Sequence, residues 1–175
     1  YSDQTANYFK SLGISKGDPV MLVLKRRFEF WFCILALHKL GAICIPATHL
    51  LTKKDFIYRN NAARIKMVVT VNDSEVHDSV DAALSESPTL AKRVTLFGKR
   101  EGWNTFHGEM ESFSEVFERP VGAAASSNQD IMLIYFTSGT TGMPKMVRHN
   151  YTYPLGHIIT AKYWQNVQDN GLHFT

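Results

Sequence analysis

Short apolar runs alternate with stretches of helical periodicity along the whole chain, and this alternation limits the possible folds more than any other feature. Val20-Met21-Leu22-Val23-Leu24 is continuously apolar, as a strand covered on both faces must be. Runs at 42–46, 66–71, 93–97 and 131–136 read as further strands, several rich in β-branched residues. Residues 145–148 are a weaker strand candidate, and 172–175 begin another. Between the strands the spacing changes. Ser2 is placed to cap a helix with apolar positions Ala6, Phe9 and Leu12, stopped by Gly13. Residues 28–40 are apolar on most sides and predict a buried helix ending at Gly41. Thr52-Lys53-Lys54-Asp55 has the form of a capping box opening a helix to about Ala63. In 72–85, Val76, Val80, Ala83 and Leu84 recur at helical spacing among Asp73, Glu75, Asp78 and Asp81. Those acids predict a solvated face near the positive end of the helix dipole, and Pro88 ends the segment. Weaker helical patterns cover 104–118 and 153–167. Strands alternating with helices predict an α/β domain with a mainly parallel sheet. The expected division is an α/β subregion over 1–119, a surface loop of small and polar residues over 120–129, and a strand, loop and helix over 130–175.

With 19 Lys+Arg against 16 Asp+Glu, the net charge is only +3, and no basic run is dense enough to predict a nucleic-acid or anionic membrane partner. Nor is there a membrane span: 28–40 is too short and is interrupted by Glu29, His38 and Lys39. The opening Tyr1-Ser2-Asp3-Gln4 has no initiator Met and no signal-like pattern, so the chain is expected to be a piece of a longer, cytoplasmic protein. Cys33 and Cys44 lie in apolar surroundings and read as buried free thiols of a reducing compartment, not as a disulfide framework or zinc site.

One segment has a different composition from the rest. Thr137-Ser138-Gly139-Thr140-Thr141-Gly142-Met143-Pro144-Lys145 follows an apolar strand and brings together four hydroxyl side chains, two glycines and a lysine. Glycine lets backbone N–H groups approach an anion closely, hydroxyls add donors, and a lysine adds a compact positive charge. That is the chemistry of a polyphosphate cradle. The glycine spacing fits neither the common P-loop nor the dinucleotide-binding fingerprint. Composition alone leaves an ordinary Ser/Thr/Gly surface turn equally open.

The order of residues in 137–145 resembles the signature loop of the adenylate-forming (AMP-binding) superfamily, Thr-Ser-Gly-Thr/Ser-Thr-Gly-x-Pro-Lys, at each position. Leu37-His38-Lys39-Leu40-Gly41-Ala42-Ile43-Cys44-Ile45-Pro46 resembles the family's upstream helix-to-strand element, with Leu40 where the family usually has Ala. Lys25-Arg26-Arg27-Phe28-Glu29-Phe30-Trp31 and Lys145-Met146-Val147-Arg148-His149 look like the acetyl-CoA and medium-chain acyl-CoA synthetase branch. The resemblance implies part of the large N-terminal domain of an acyl-CoA synthetase-like fold, from an acid-thiol ligase that joins a carboxylic acid to AMP with release of pyrophosphate and then to coenzyme A. It implies ATP, Mg²⁺ and coenzyme A as cofactors or co-substrates, with Thr137, Ser138, Gly139, Thr140, Thr141, Gly142 and Lys145 binding the phosphates and Lys145 offsetting the charge of departing pyrophosphate. It names no metal ligand in this chain. The family's aromatic-Gly-x-Thr-Glu motif, its ribose-binding Asp and its late lysine are missing from the 175 residues, so the chain alone is expected to be inactive. An adenylation domain that loads a carrier protein and a non-catalytic nucleotide-binding module are the alternative readings.

Other candidates have simpler readings. His149 and His157 are too far apart for a usual metal pair, and His149 reads as an ordinary structural histidine, a supporting role near the loop being the alternative. Phe30, Trp31, Phe32 and Leu35 read as core residues at helical spacing, and Lys25-Arg26-Arg27 as a solvated loop.

Overall fold

The computed structural model describes residues 1–138 and 142–171. The strands are β1 (Pro19–Val23), β2 (Ile43–Pro46), β3 (Met67–Thr70), β4 (Lys92–Thr95), β5 (Asn104–Thr105), β6 (Ile131–Thr137) and β7 (Lys145–Asn150). The helices are α1 (Ser2–Ser11), α2 (Glu29–Leu40), α3 (Lys53–Ala63), α4 (Ser74–Ala83), α5 (Phe106–Met110) and α6 (Tyr153–Tyr163). One seven-stranded sheet runs β5-β4-β3-β1-β2-β6-β7. All neighbours are parallel except β6 and β7, which form an antiparallel hairpin at the edge. The expected α/β class with a mainly parallel sheet is therefore the observed one.

Strand β1 lies at the centre, with Val20 opposite Cys44 of β2 on one side and Met67 of β3 on the other. Its side chains divide by parity. Val20 and Leu22 pack with Phe9 of α1, Leu37 of α2 and Phe106 of α5, whereas Met21 and Val23 pack with Phe56 of α3 and Val80 of α4. Helices cover both faces, so the strand has no solvent side and needs no polar alternation. Gly41 ends α2 in the left-handed conformation (φ +72°), and a Cβ there would meet Ser126 Oγ at 2.7 Å. Both the turn and the loop packed against it exclude a side chain.

Several local expectations change. Tyr1, not Ser2, is the N-cap residue of α1, and the Ser2 hydroxyl instead accepts from Lys39 Nζ at 2.6 Å. Leu12 lies just past the helix, as its C-cap. Helix α2 is not buried all round: Trp31 and Leu35 are exposed and Phe30 and Phe32 half-buried, because α1 and the sheet cover only the face bearing Cys33, Ala36, Leu37 and Leu40. The acids of α4 are not merely solvated. Asp73 caps the helix by accepting from the N–H groups of Glu75 and Val76. Asp81 accepts from Arg93, Arg100 and the Trp103 indole, and Asp78 pairs with Arg100 at 2.6 Å. The basic side chains of β4 and the segment after it face these acids across α4, a relation with no local sequence signal.

The pattern over 104–118 yields only β5 and the short α5. Gln4 donates to the carbonyls of Glu111 and Phe113, and Asn7 to those of Ser114 and Val116, so α1 takes acceptors that a continuing helix needs. The hydroxyls of Ser112 and Ser114 also bond nearby carbonyls, which competes with helix propagation. Cys33 and Cys44 are buried free thiols as expected, and burial pushes both thiols up, so neither is a ready thiolate at neutral pH.

Glu29, the first residue of α2, is 0% exposed. Arg27 holds its carboxylate through Nε at 3.2 Å and Nη2 at 3.1 Å, and His107 Nε2 lies 3.0 Å away. The Arg27 guanidinium sits 5.1 Å from the Phe97 ring centroid, and that ring stacks on His107 at 4.6 Å. Burial pushes the Glu29 carboxyl up, but the hydrogen bonds from Arg27, its own backbone and His107 outweigh it and leave the value lowered. A lowered carboxylate stabilises the fold above its unfolded value of about 4.3 and loses that contribution as pH falls through its folded value. Arg27→Leu, which strands this buried charge, should lower stability by about 3 kcal/mol at pH 7, read as a lower urea midpoint. Glu29→Gln should flatten the fall in midpoint between neutral pH and about pH 3, and an unchanged slope would show that Glu29 does not carry it.

Candidate functional site

The Ser/Thr/Gly segment connects β6 to β7 across the edge of the sheet. Strand β6 runs parallel to β2, so its last residue, Thr137, emerges at the same end as the carboxyl ends of β1 and β2. In open α/β sheets the carboxyl end is where ligands are taken up. Thr137 and Lys145 are the closing register pair of the hairpin, and Thr137 Oγ1 donates to the Lys145 carbonyl at 3.4 Å. Ser138, Gly142 and Lys145 are exposed. Gly139, Thr140 and Thr141 lie outside the described residues. Of the seven candidates, the hairpin sets Thr137 and Lys145 opposite each other, and Ser138 and Gly142 follow and precede them in the chain.

At Gly142 a Cβ would meet nothing within 4 Å among the described residues, so no side chain or backbone atom of theirs excludes one there. Lys145 enters no ion pair among the described residues, so its charge faces solvent at the loop's end. Among the described residues no group of three or more His, Cys, Asp and Glu side chains is placed to hold a metal ion.

Helix α3 supports the hairpin. The Tyr58 hydroxyl donates to the Pro144 carbonyl at 2.6 Å, its ring meets Phe136 edge-on at 6.1 Å, and the Arg59 guanidinium lies 5.2 Å from the Phe136 ring centroid. Sequence reasoning missed Tyr58 and Arg59, since 86 residues separate Tyr58 from Pro144 and no local pattern links them. His149, half-buried on β7, has its ring 3.9 Å from Tyr153 and 5.8 Å from Tyr135. That packing is structural, in line with the simpler reading of His149.

A cavity of about 700 Å³ opens at the same end of the sheet, lined by Leu24, Lys25, Arg26, Phe30, Thr48 and His49 among others. The basic cluster beside it is more ordered than a solvated loop. Lys25 (φ +52°) donates to Asp73 at 2.7 Å, and Arg27 is committed to Glu29, leaving Arg26 exposed at the cavity wall.

The AMP-binding enzyme family matches residues 1–174. Among individual proteins, the chain is 33% identical over 165 residues to the mitochondrial acyl-coenzyme A synthetase ACSM4 of Rattus norvegicus, covering 93% of this chain and 27% of that protein. It is 37% identical over 164 residues to the mitochondrial acyl-coenzyme A synthetase ACSM5 of the same species, covering 92% and 27%. The chain thus spans about a quarter of the length of these relatives. Among solved structures, an anthranilate CoA ligase in complex with anthranoyl-AMP superposes with a TM-score of 0.79 at 27% identity, covering 94% of this chain and 30% of that one. An acyl-CoA synthetase of Brucella canis superposes at 0.81 with 22% identity, covering 98% and 30%, a likeness of fold.

Tyr58→Phe removes the tie between α3 and the hairpin without removing the ring. It should cost about 1 kcal/mol and speed amide exchange at Met146, whose strand pairs beside the loop. Unchanged exchange there would show that the phenol does not brace the hairpin.

Proposed function

Because the chain belongs to the AMP-binding enzyme family, we propose that it is the part of an adenylate-forming acyl-CoA synthetase that grips the polyphosphate of ATP. The parent reaction is carboxylate plus ATP to acyl-AMP and pyrophosphate, followed by attack of the coenzyme A thiol to give the thioester and AMP. The observation that carries the reading is the unbroken order of residues 137–145 on a hairpin at the ligand-binding end of a parallel sheet. Relatives named as acyl-coenzyme A synthetases favour coenzyme A over a carrier protein as acceptor.

In this reading Thr137, Ser138, Thr140 and Thr141 donate hydroxyl or backbone hydrogen bonds to the β- and γ-phosphates, and Gly139 and Gly142 let the backbone close on them. Lys145 meets the charge that builds on pyrophosphate as it leaves, the kind of placed cation that lowers a barrier by a few kcal/mol. Mg²⁺ enters on the nucleotide, in keeping with its preference for phosphate and water over an all-protein cage. The acid pocket and the remaining catalytic groups belong to the parent protein outside these residues, and the chain by itself does not turn over.

Lys145→Ala in the parent enzyme should reduce acid-dependent pyrophosphate release at least about tenfold, the size of one lost charge contact. Unchanged release would remove Lys145 from this role. Coenzyme A should accept the acyl group where a phosphopantetheinyl carrier protein does not, and the opposite preference would overturn the assignment of acceptor.

A further inference from the structure

The end of the β6–β7 hairpin that carries Thr137 and Lys145 receives little support from the sheet. Strand β6 pairs with β2 at Leu133, opposite Cys44, and β2 ends at Pro46. Phe136 and Thr137 therefore run past the end of β2 and pair only with β7. Strand β7 is itself the sheet edge and has no second neighbour among the described residues. Support comes instead from helix α3. Phe136 and Met146 pack, partly buried, on the core layer that contains Phe56 of α3. Tyr58 meets the Phe136 ring edge-on, and its hydroxyl donates to the Pro144 carbonyl at 2.6 Å. Among the described residues this is the one side-chain hydrogen bond that reaches 136–145 from outside the hairpin.

The position of that bond matters for charge. A carbonyl and the N–H that follows it share one rigid peptide plane. Holding the Pro144 oxygen thus holds the plane from which Lys145 starts. Pro144 contributes a fixed φ and has no N–H of its own to seek another partner. On the other side of Lys145, its carbonyl accepts from Thr137 Oγ1 at the longer distance of 3.4 Å. Lys145 is exposed, so the placement of its backbone sets where its ammonium group can reach.

We infer that Tyr58 is a positioning residue for adenylation: through the Pro144 carbonyl it holds Lys145 where charge builds on the departing pyrophosphate. This rests on the reading of residues 137–145 as the phosphate loop. The test uses the full-length parent enzyme with Tyr58→Phe, Lys145→Ala and the double variant, and measures the two half-reactions separately. Tyr58→Phe keeps the ring against Phe136 and should slow acid-dependent pyrophosphate release about fivefold, the worth of one hydrogen bond. Conversion of supplied acyl-AMP to the thioester by coenzyme A should stay within about twofold, because a role confined to Lys145 and pyrophosphate leaves that step alone. In the Lys145→Ala background the tyrosine change should add nothing further. An equal loss in both half-reactions would mark a general structural role and overturn the inference, as would a Tyr58→Phe effect that persists without Lys145. An effect of Lys145→Ala with none from Tyr58→Phe would overturn this inference alone. No effect of either on pyrophosphate release would overturn the phosphate-loop reading beneath it as well.

Discussion

Two-sided burial of β1 is the constraint on which the rest of this structure depends. Val20 and Leu22 face one layer of helices, and Met21 and Val23 face the other. A strand with no solvent side can pair only with strands that are also covered, and parallel neighbours joined by crossover helices provide that arrangement. The crossovers in turn bring the carboxyl ends of β1, β2 and β6 to one side of the sheet, where the Ser/Thr/Gly connection begins.

The hairpin of β6 and β7 is where this regularity stops. Strand β7 reverses direction at the sheet edge, and its pairing with β6 closes at Thr137 and Lys145 beside the brace from Tyr58.

Electrostatics outside the loop is spent on fastening the frame. Arg27, Arg93, Arg100 and Lys25 all bind carboxylates of other segments or of a buried helix start. A net charge of only +3 therefore conceals a set of cations committed to internal partners.

The sequence by itself determined the α/β class, the burial of β1 on both faces and the turn at Gly41. These follow from periodicity, backbone freedom and side-chain type, all of which act over a few neighbouring residues. The boundaries of α3 and the burial of both cysteines were legible for the same reason. Only the tertiary structure decided the exposed side of α2, the ion pairs of α4, the arrest of α5 by Gln4 and Asn7, and the support of the loop by Tyr58. Each joins residues far apart in the chain. Whether an amphipathic face is covered or a carboxylate is paired depends on what the fold brings beside it, and no local pattern encodes that neighbour.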